Sequence, residues 1–158
     1  MGTNGVAGHY QAPGWFTKQV FNKAVAGATR LGISVWGSRV LEVRGRTTGE
    51  ARRTPVNLLD SGGATYLVSP RGETQWVRNV RAAGGRLDLL LGRRRTHYVA
   101  TELPDEDKVP VLRAYLERWK AEVGVFFDGV GPESTDEEIA AIAPKHPVFA
   151  IASVAGDA

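Results

Sequence analysis

The chain has no cysteine, one methionine and three histidines among its 158 residues. Without thiols there are no disulfide staples, no thiolate metal ligands and no cysteine nucleophile. His9, His97 and His146 stand far apart and lack the paired spacing of a histidine metal site, so each is expected to be an ordinary surface or interior side chain. No apolar run approaches the roughly 20 residues that cross a bilayer, and the N-terminus lacks the charged start and apolar block of a signal peptide. No Gly-x-Ser-x-Gly elbow occurs, since Gly32-Ile33-Ser34-Val35-Trp36 lacks the second glycine. Gly45-Arg46-Thr47-Thr48-Gly49 is neither a Walker loop nor a dinucleotide fingerprint, because the lysine ending and the strand–helix context are missing. These absences leave a cytoplasmic single domain of ordinary composition, with 42% hydrophobic and 23% charged residues.

What is present is charge sorted along the chain. From Arg39 to Arg95 twelve arginines, with no lysine, face five acids; from Glu102 to Glu138 eleven acids face four cations. The central third is a field of guanidinium groups, whose planar forks suit phosphate and carboxylate oxygens. An anionic ligand is one use for it, a solvated basic surface the other.

The periodicities predict an organisation. Residues 1–13 read as a flexible leader and 153–158 as a tail, flanking one domain over 14–152. A helix begins at Gly14, with Phe16, Val20, Ala24 and Ala28 on one stripe. Its expected role is to pack on the domain; a second reading lays its cationic, Trp15-bearing face on the inner membrane surface. Strands are predicted at Val40–Arg44, Arg53–Leu59 and Ala64–Ser69, the last two joined at Ser61-Gly62-Gly63. Thr74–Gly84 reads as a short helix capped by Thr74, with Trp76, Val77 and Val80 on its buried side. A hairpin, Arg86–Leu91 and Thr96–Leu103, is expected to turn at Gly92–Arg95. A second long helix spans about Val109–Val123, and Thr135 with Glu138 forms a capping-box pattern for a further brief helix to Ala143. Val148–Ala152 is the last strand. Short strands in hairpin order with one small helix between them predict an antiparallel sheet or small barrel with helices outside.

Two segments carry the candidate chemistry. In Gly45-Arg46-Thr47-Thr48-Gly49-Glu50-Ala51-Arg52 a tight connection turns N–H groups, two hydroxyls and two guanidinium forks toward one place. Pro55, in the strand that follows, cannot donate to a ladder and belongs at an edge or beside a ligand. One hairpin later, Ser69-Pro70-Arg71-Gly72 leads into the short helix that carries Trp76 and Asn79.

These segments, with Trp119–Phe127 and the closing His146-Pro147-Val148-Phe149-Ala150-Ile151, resemble the deazaflavin-dependent nitroreductase family, part of the split β-barrel flavin and deazaflavin oxidoreductases. The resemblance runs from about Phe16 to Ile151. It implies an α+β, mainly β, antiparallel split barrel with flanking helices. It also implies coenzyme F420, an 8-hydroxy-5-deazaflavin with a phospholactyl and oligoglutamate tail. Carried across, Arg46, Thr47, Thr48 and Arg52 would face that tail, and Thr54, Pro55, Val56 and Asn57 would line the ring. Ser69, Pro70 and Arg71 would contribute from the strand end, and Gln75, Trp76, Arg78 and Asn79 would close over the cofactor. Many relatives have lysine at the position of Thr47, a lost cation for which Arg52, Arg53 and Arg71 are candidate compensators. The implied reaction is hydride transfer from the reduced cofactor to a quinone, enone or nitro-aromatic acceptor, in a monomer or homodimer, with no catalytic side chain assigned. Tyr115, Trp119, Phe126 and Phe127 are candidates either to wall the substrate or to pack the helix. The rivals are an enzyme using FMN, a non-catalytic deazaflavin or lipid carrier, and nucleic-acid binding through Arg93-Arg94-Arg95, which no accompanying motif supports.

Overall fold

The computed structural model describes residues 38–154. The leader, the helix predicted from Gly14, His9 and the end of the tail lie outside the described residues. Within them six strands form one closed antiparallel barrel in the order β1-β2-β3-β6-β5-β4. The strands are β1 (Ser38–Arg44), β2 (Ala51–Ser61), β3 (Ala64–Val68), β4 (Arg86–Leu91), β5 (Arg94–Glu102) and β6 (Val148–Ser153). Three helices accompany them: α1 (Gln75–Ala82), α2 (Val109–Val123) and α3 (Asp136–Ile142). The expected class, mainly β with helices outside, is the class observed.

Local chemistry explains most boundaries. Gly62 and Gly63 both hold positive φ, 59° and 83°, as a two-residue hairpin turn requires. The β4–β5 turn is shorter than expected: Arg94 and Arg95 already pair with Leu91 and Leu90, because Gly92 at φ 62° completes the reversal with Arg93 alone. Helix α3 starts on the predicted capping box, Thr135 Oγ1 accepting from the Glu138 N–H while the Glu138 carboxylate accepts from the Thr135 N–H. Thr74 occupies the N-cap of α1, but its hydroxyl makes no capping bond. The corner that feeds the helix instead ties the Thr74 N–H to the Gly72 carbonyl at 2.8 Å.

Alternation along the strands divides the core in two. Leu41, Val43, Leu67, Leu87, Leu89, Phe149 and Ile151 fill the barrel, and Val77 and Val80 of α1 join them. Leu59, Val68 and Val148 point outward and are covered by Leu112, Tyr115, Leu116 and Trp119 of α2, with Phe127 and Ile139. The barrel closes where Val40–Glu42 of β1 pair with Asp88–Leu90 of β4, strands far apart in sequence.

Strand β2 is bordered unequally. Its first half, Ala51–Asn57, pairs with β1, whereas β3 pairs only with Leu58–Ser61. Beyond Val68 the chain leaves the sheet for the Ser69–Thr74 corner. The half-strand carrying Pro55 thus has one ladder partner among the described residues, the edge placement expected of it.

Candidate active site

The β1–β2 turn is closed by its own backbone: the Gly45 N–H donates to the Glu50 carbonyl at 2.7 Å and the Gly49 N–H to the Gly45 carbonyl at 2.9 Å. Gly49 accepts the positive φ of 78°. At Gly45 a Cβ would lie 3.2 Å from the Glu50 carbonyl oxygen and 3.3 Å from Arg52 Nε, so glycine lets the Arg52 side chain lie against the turn. Arg46, Thr47 and Thr48 are exposed at its tip. The Thr48 oxygen accepts from the Glu50 N–H at 3.1 Å, which leaves its own O–H to donate.

Asn79 of α1 reaches this turn. It is only 4% exposed, and its Oδ1 accepts from both the backbone N–H of Arg46, at 3.1 Å, and the Arg46 guanidinium, at 2.7 Å. Two segments separated by 33 residues are thereby bracketed into one site. The sequence reading has Asn79 close over the cofactor; the structure commits its Oδ1 to the turn. Arg44, not singled out from sequence, donates to the Gly49 carbonyl at 2.5 Å. In these contacts Arg44 and Arg46 bond neutral oxygens, so neither contact cancels its positive charge. A cationic turn bearing hydroxyl donors is the chemistry that phosphate and carboxylate oxygens require.

The register sorts the remaining candidates. Arg52 and Thr54 oppose the barrel-facing Val43 and Leu41, and Val56 packs on the interior cluster. Arg53, Pro55 and Asn57 oppose Glu42, Val40 and Ser38 on the outer row, where Ser38 Oγ and Asn57 Oδ1 meet at 3.3 Å. Both rows border the one-sided stretch of β2. Arg53 does not compensate for Thr47: alternation turns it outward, and its Nε donates to Glu42 at 2.8 Å. Glu42 also binds Arg95, whose hydrogen bond holds the carboxyl below the usual range. Arg95 pairs with Asp88 as well, so this exposed member of the arginine run considered for nucleic acid has its charge balanced within the chain.

At the second segment, Ser69 is buried and its hydroxyl donates to the Gly72 carbonyl at 2.6 Å, while its N–H donates to the Pro147 carbonyl at 2.9 Å. Ser69 therefore shapes the corner, and Pro70 and Arg71 are its half-exposed part. The Arg71 guanidinium lies 5.3 Å from the centroid of the Phe126 ring. Gln75, Trp76 and Arg78 are half-buried on α1. Trp76 is not the fully buried residue expected; it tilts against Phe149 with centroids 5.8 Å apart, and Asn79 takes a place on the buried side. Tyr115, Trp119, Phe126 and Phe127 belong to the outer core beneath α2, the packing role of the two considered.

The model of the F420H(2)-dependent quinone reductase family matches residues 16–129. The chain belongs to this family. It is an F420H2-dependent oxidoreductase, and coenzyme F420 is its cofactor. No curated protein matches it. Among solved structures, a domain-swapped dimer shares 15% identity over 87% of this chain and 97% of its own, with a TM-score of 0.54. The F420-H2 dependent reductase FDR-A shares 16% identity over 73% of this chain and 94% of its own, with a TM-score of 0.50. A protein of unknown function from Agrobacterium tumefaciens str. C58 shares 12% over 90% of this chain and 55% of its own, also at 0.50. At these identities the shared property is the fold, the split barrel that the sequence anticipated. Among the described residues of this quinone reductase family member no His, Asp and Glu group could hold a metal, and no helix is long and apolar enough to cross a membrane. The donor set of the turn fits an F420 tail, because guanidinium forks and threonine hydroxyls are partners for its phosphate and carboxylates.

Proposed function

We propose that this oxidoreductase passes a hydride from F420H2 to a quinone-type acceptor bound at the one-sided stretch of β2. Enones and nitro-aromatic compounds are the poorer acceptors. The observation that carries the reading is the Asn79–Arg46 bracket, which joins the cationic turn to the helix beside the barrel mouth. Arg46, Thr47, Thr48 and Arg52 would hold the phosphate and carboxylates of the tail. Thr54, Pro55, Val56 and Asn57 would flank the ring. Ser69 would set the corner from which Pro70 and Arg71 approach it, and Gln75, Trp76 and Arg78 would cover it.

When bound, the reduced deazaflavin supplies the hydride from its central ring carbon. The chain's own contribution is placement. A tail gripped at several cations fixes the ring relative to the barrel, so the acceptor meets it in one orientation. Trp76, packed on Phe149, would shield the ring from water. Arg71 places a cation at the corner, where negative charge developing on a quinone oxygen is stabilised. The proton that completes quinol formation comes from solvent.

The test is a fluorescence titration of oxidised F420 into the wild type and Arg52→Ala, followed by turnover on a panel of quinones, enones and nitro-aromatics. The variant is expected to bind more weakly by about 1–3 kcal/mol, from loss of a charge-assisted contact, and quinones to be reduced fastest. Unchanged affinity in the variant overturns the tail site, and faster turnover of nitro-aromatics overturns the acceptor class.

A further inference from the structure

His146 stands just before β6 and takes no part in the reading above. It is 3% exposed, and its ring stacks on Phe127 with centroids 4.1 Å apart and planes at 18°. Neither ring nitrogen has a hydrogen-bond partner among the described residues. The carbonyls of Ser69 and Pro70 lie beside the ring and favour its protonation, at geometry short of a hydrogen bond. Direct proton donation to an acceptor is excluded by this burial. A neutral imidazole nevertheless carries one N–H donor, and a buried donor without an acceptor costs free energy.

The neighbouring chain shows how little movement would satisfy it. The Ser69 N–H is anchored on the Pro147 carbonyl, directly after His146. The Ser69 carbonyl holds only a long bond, 3.3 Å, from the Gly72 N–H, so a lone pair remains for the ring. A small rotation of the Ser69–Pro70 backbone would bring a carbonyl onto the imidazole and move Pro70 and Arg71 with it.

We propose that His146 is a positioning residue for the cofactor site: its ring N–H takes the Ser69 or Pro70 carbonyl when the corner closes on F420, and so locks Pro70 and Arg71 in place. The inference rests on the placement of F420 given above. The corner then has two states, one with the imidazole unbonded and one with it bonded, and the cofactor favours the second by its extra contacts there.

The experiment follows imidazole nitrogen and N–H signals of 15N-histidine-labelled protein as oxidised F420 is added, alongside fluorescence titration of wild type, His146→Phe, His146→Asn, His146→Gln and Arg52→Ala. Saturation is expected to move the His146 N–H signal downfield and slow its exchange. His146→Phe, which keeps the stack on Phe127, is expected to lose affinity about five- to tenfold, the worth of about one hydrogen bond, and one of the two amide variants to recover it. An unmoved imidazole signal at saturation overturns the proposal even if every variant misfolds. Full affinity in His146→Phe, with Arg52→Ala impaired, overturns it while leaving the site reading intact. Full affinity in Arg52→Ala means the placement of F420 has failed first.

Discussion

One carboxamide decides how the residue scale works here. Asn79 Oδ1 is the shared acceptor for two donors of Arg46, and the carboxamide end of both contacts is buried. Asn79→Ala leaves those donors unpaired and is expected to cost about 1–3 kcal/mol in denaturant unfolding and to weaken F420 binding. Asn79→Asp, which keeps the acceptor but sets a carboxylate against Arg46, should restore most of the stability but not the affinity for the anionic cofactor. The bracket was invisible in sequence because 33 residues separate its partners; Arg46 and Asn79 were each read as candidate residues, but not as partners of one another. His146 makes a second residue-scale case. Burial pushes its imidazole down to about 4 from an ordinary 6.5, so the unfolded chain binds a proton that the folded one refuses. The stability this represents is complete above about pH 6.5 and is lost as pH falls toward 4, by about 3 kcal/mol. Chemical denaturation at pH 7, 5.5 and 4.5 checks it, and His146→Phe should flatten that part of the acid limb.

At the scale of elements, two adjacent glycines end α1 with different demands. Gly84, at φ 68°, has open space where a Cβ would be, whereas at Gly85, φ 88°, a Cβ would come 2.3 Å from the Ala100 carbonyl oxygen. That closeness exists because the Ala100 N–H donates to the Gly85 carbonyl at 2.8 Å, joining the start of β4 to β5. Gly84→Ala should cost only the strained backbone, about 1–2 kcal/mol. Gly85→Ala adds a clash with backbone and should cost about 3 kcal/mol or more; thermal unfolding of the pair separates the two. Elements of this kind were largely legible. The alternation of Leu41 and Val43, the spacing of Leu112, Leu116 and Trp119, and the Thr135–Glu138 box are local signals, and each predicted its element. The Thr74 cap was only half right: Thr74 stands at the N-cap position, but its buried hydroxyl finds no partner on the first turn.

For the whole molecule, the closed order of strands was not legible, since Val40–Glu42 meet Asp88–Leu90 only after three intervening elements have folded. Charge, by contrast, was visible as a count but not as a map. Arg53, Arg81 and Arg95 are consumed in ion pairs with Glu42, Glu73, Glu102 and Asp88, whereas Arg44 and Arg46 at the β1–β2 turn bond neutral oxygens and keep their charge. If that turn grips the tail, raising ionic strength from about 0.02 to about 0.5 M should weaken binding of F420 by about tenfold, because exposed charges are screened over a shorter distance. A deazaflavin lacking the tail should bind weakly at both strengths with little salt response. Isothermal titration of the two ligands tests this, and equal salt dependence would place the contact elsewhere.

The uneven bordering of β2 also bears on solubility. A strand with one ladder partner is a template on which a foreign strand can grow, and this one is seven residues long from Ala51 to Asn57. Pro55 removes a donor from its middle, and Arg52 and Arg53 put like charges where a second copy would have to lie. The stretch proposed to admit a flat ligand thus carries its own protection against amyloid-like stacking, and replacing Pro55 would trade away part of that protection.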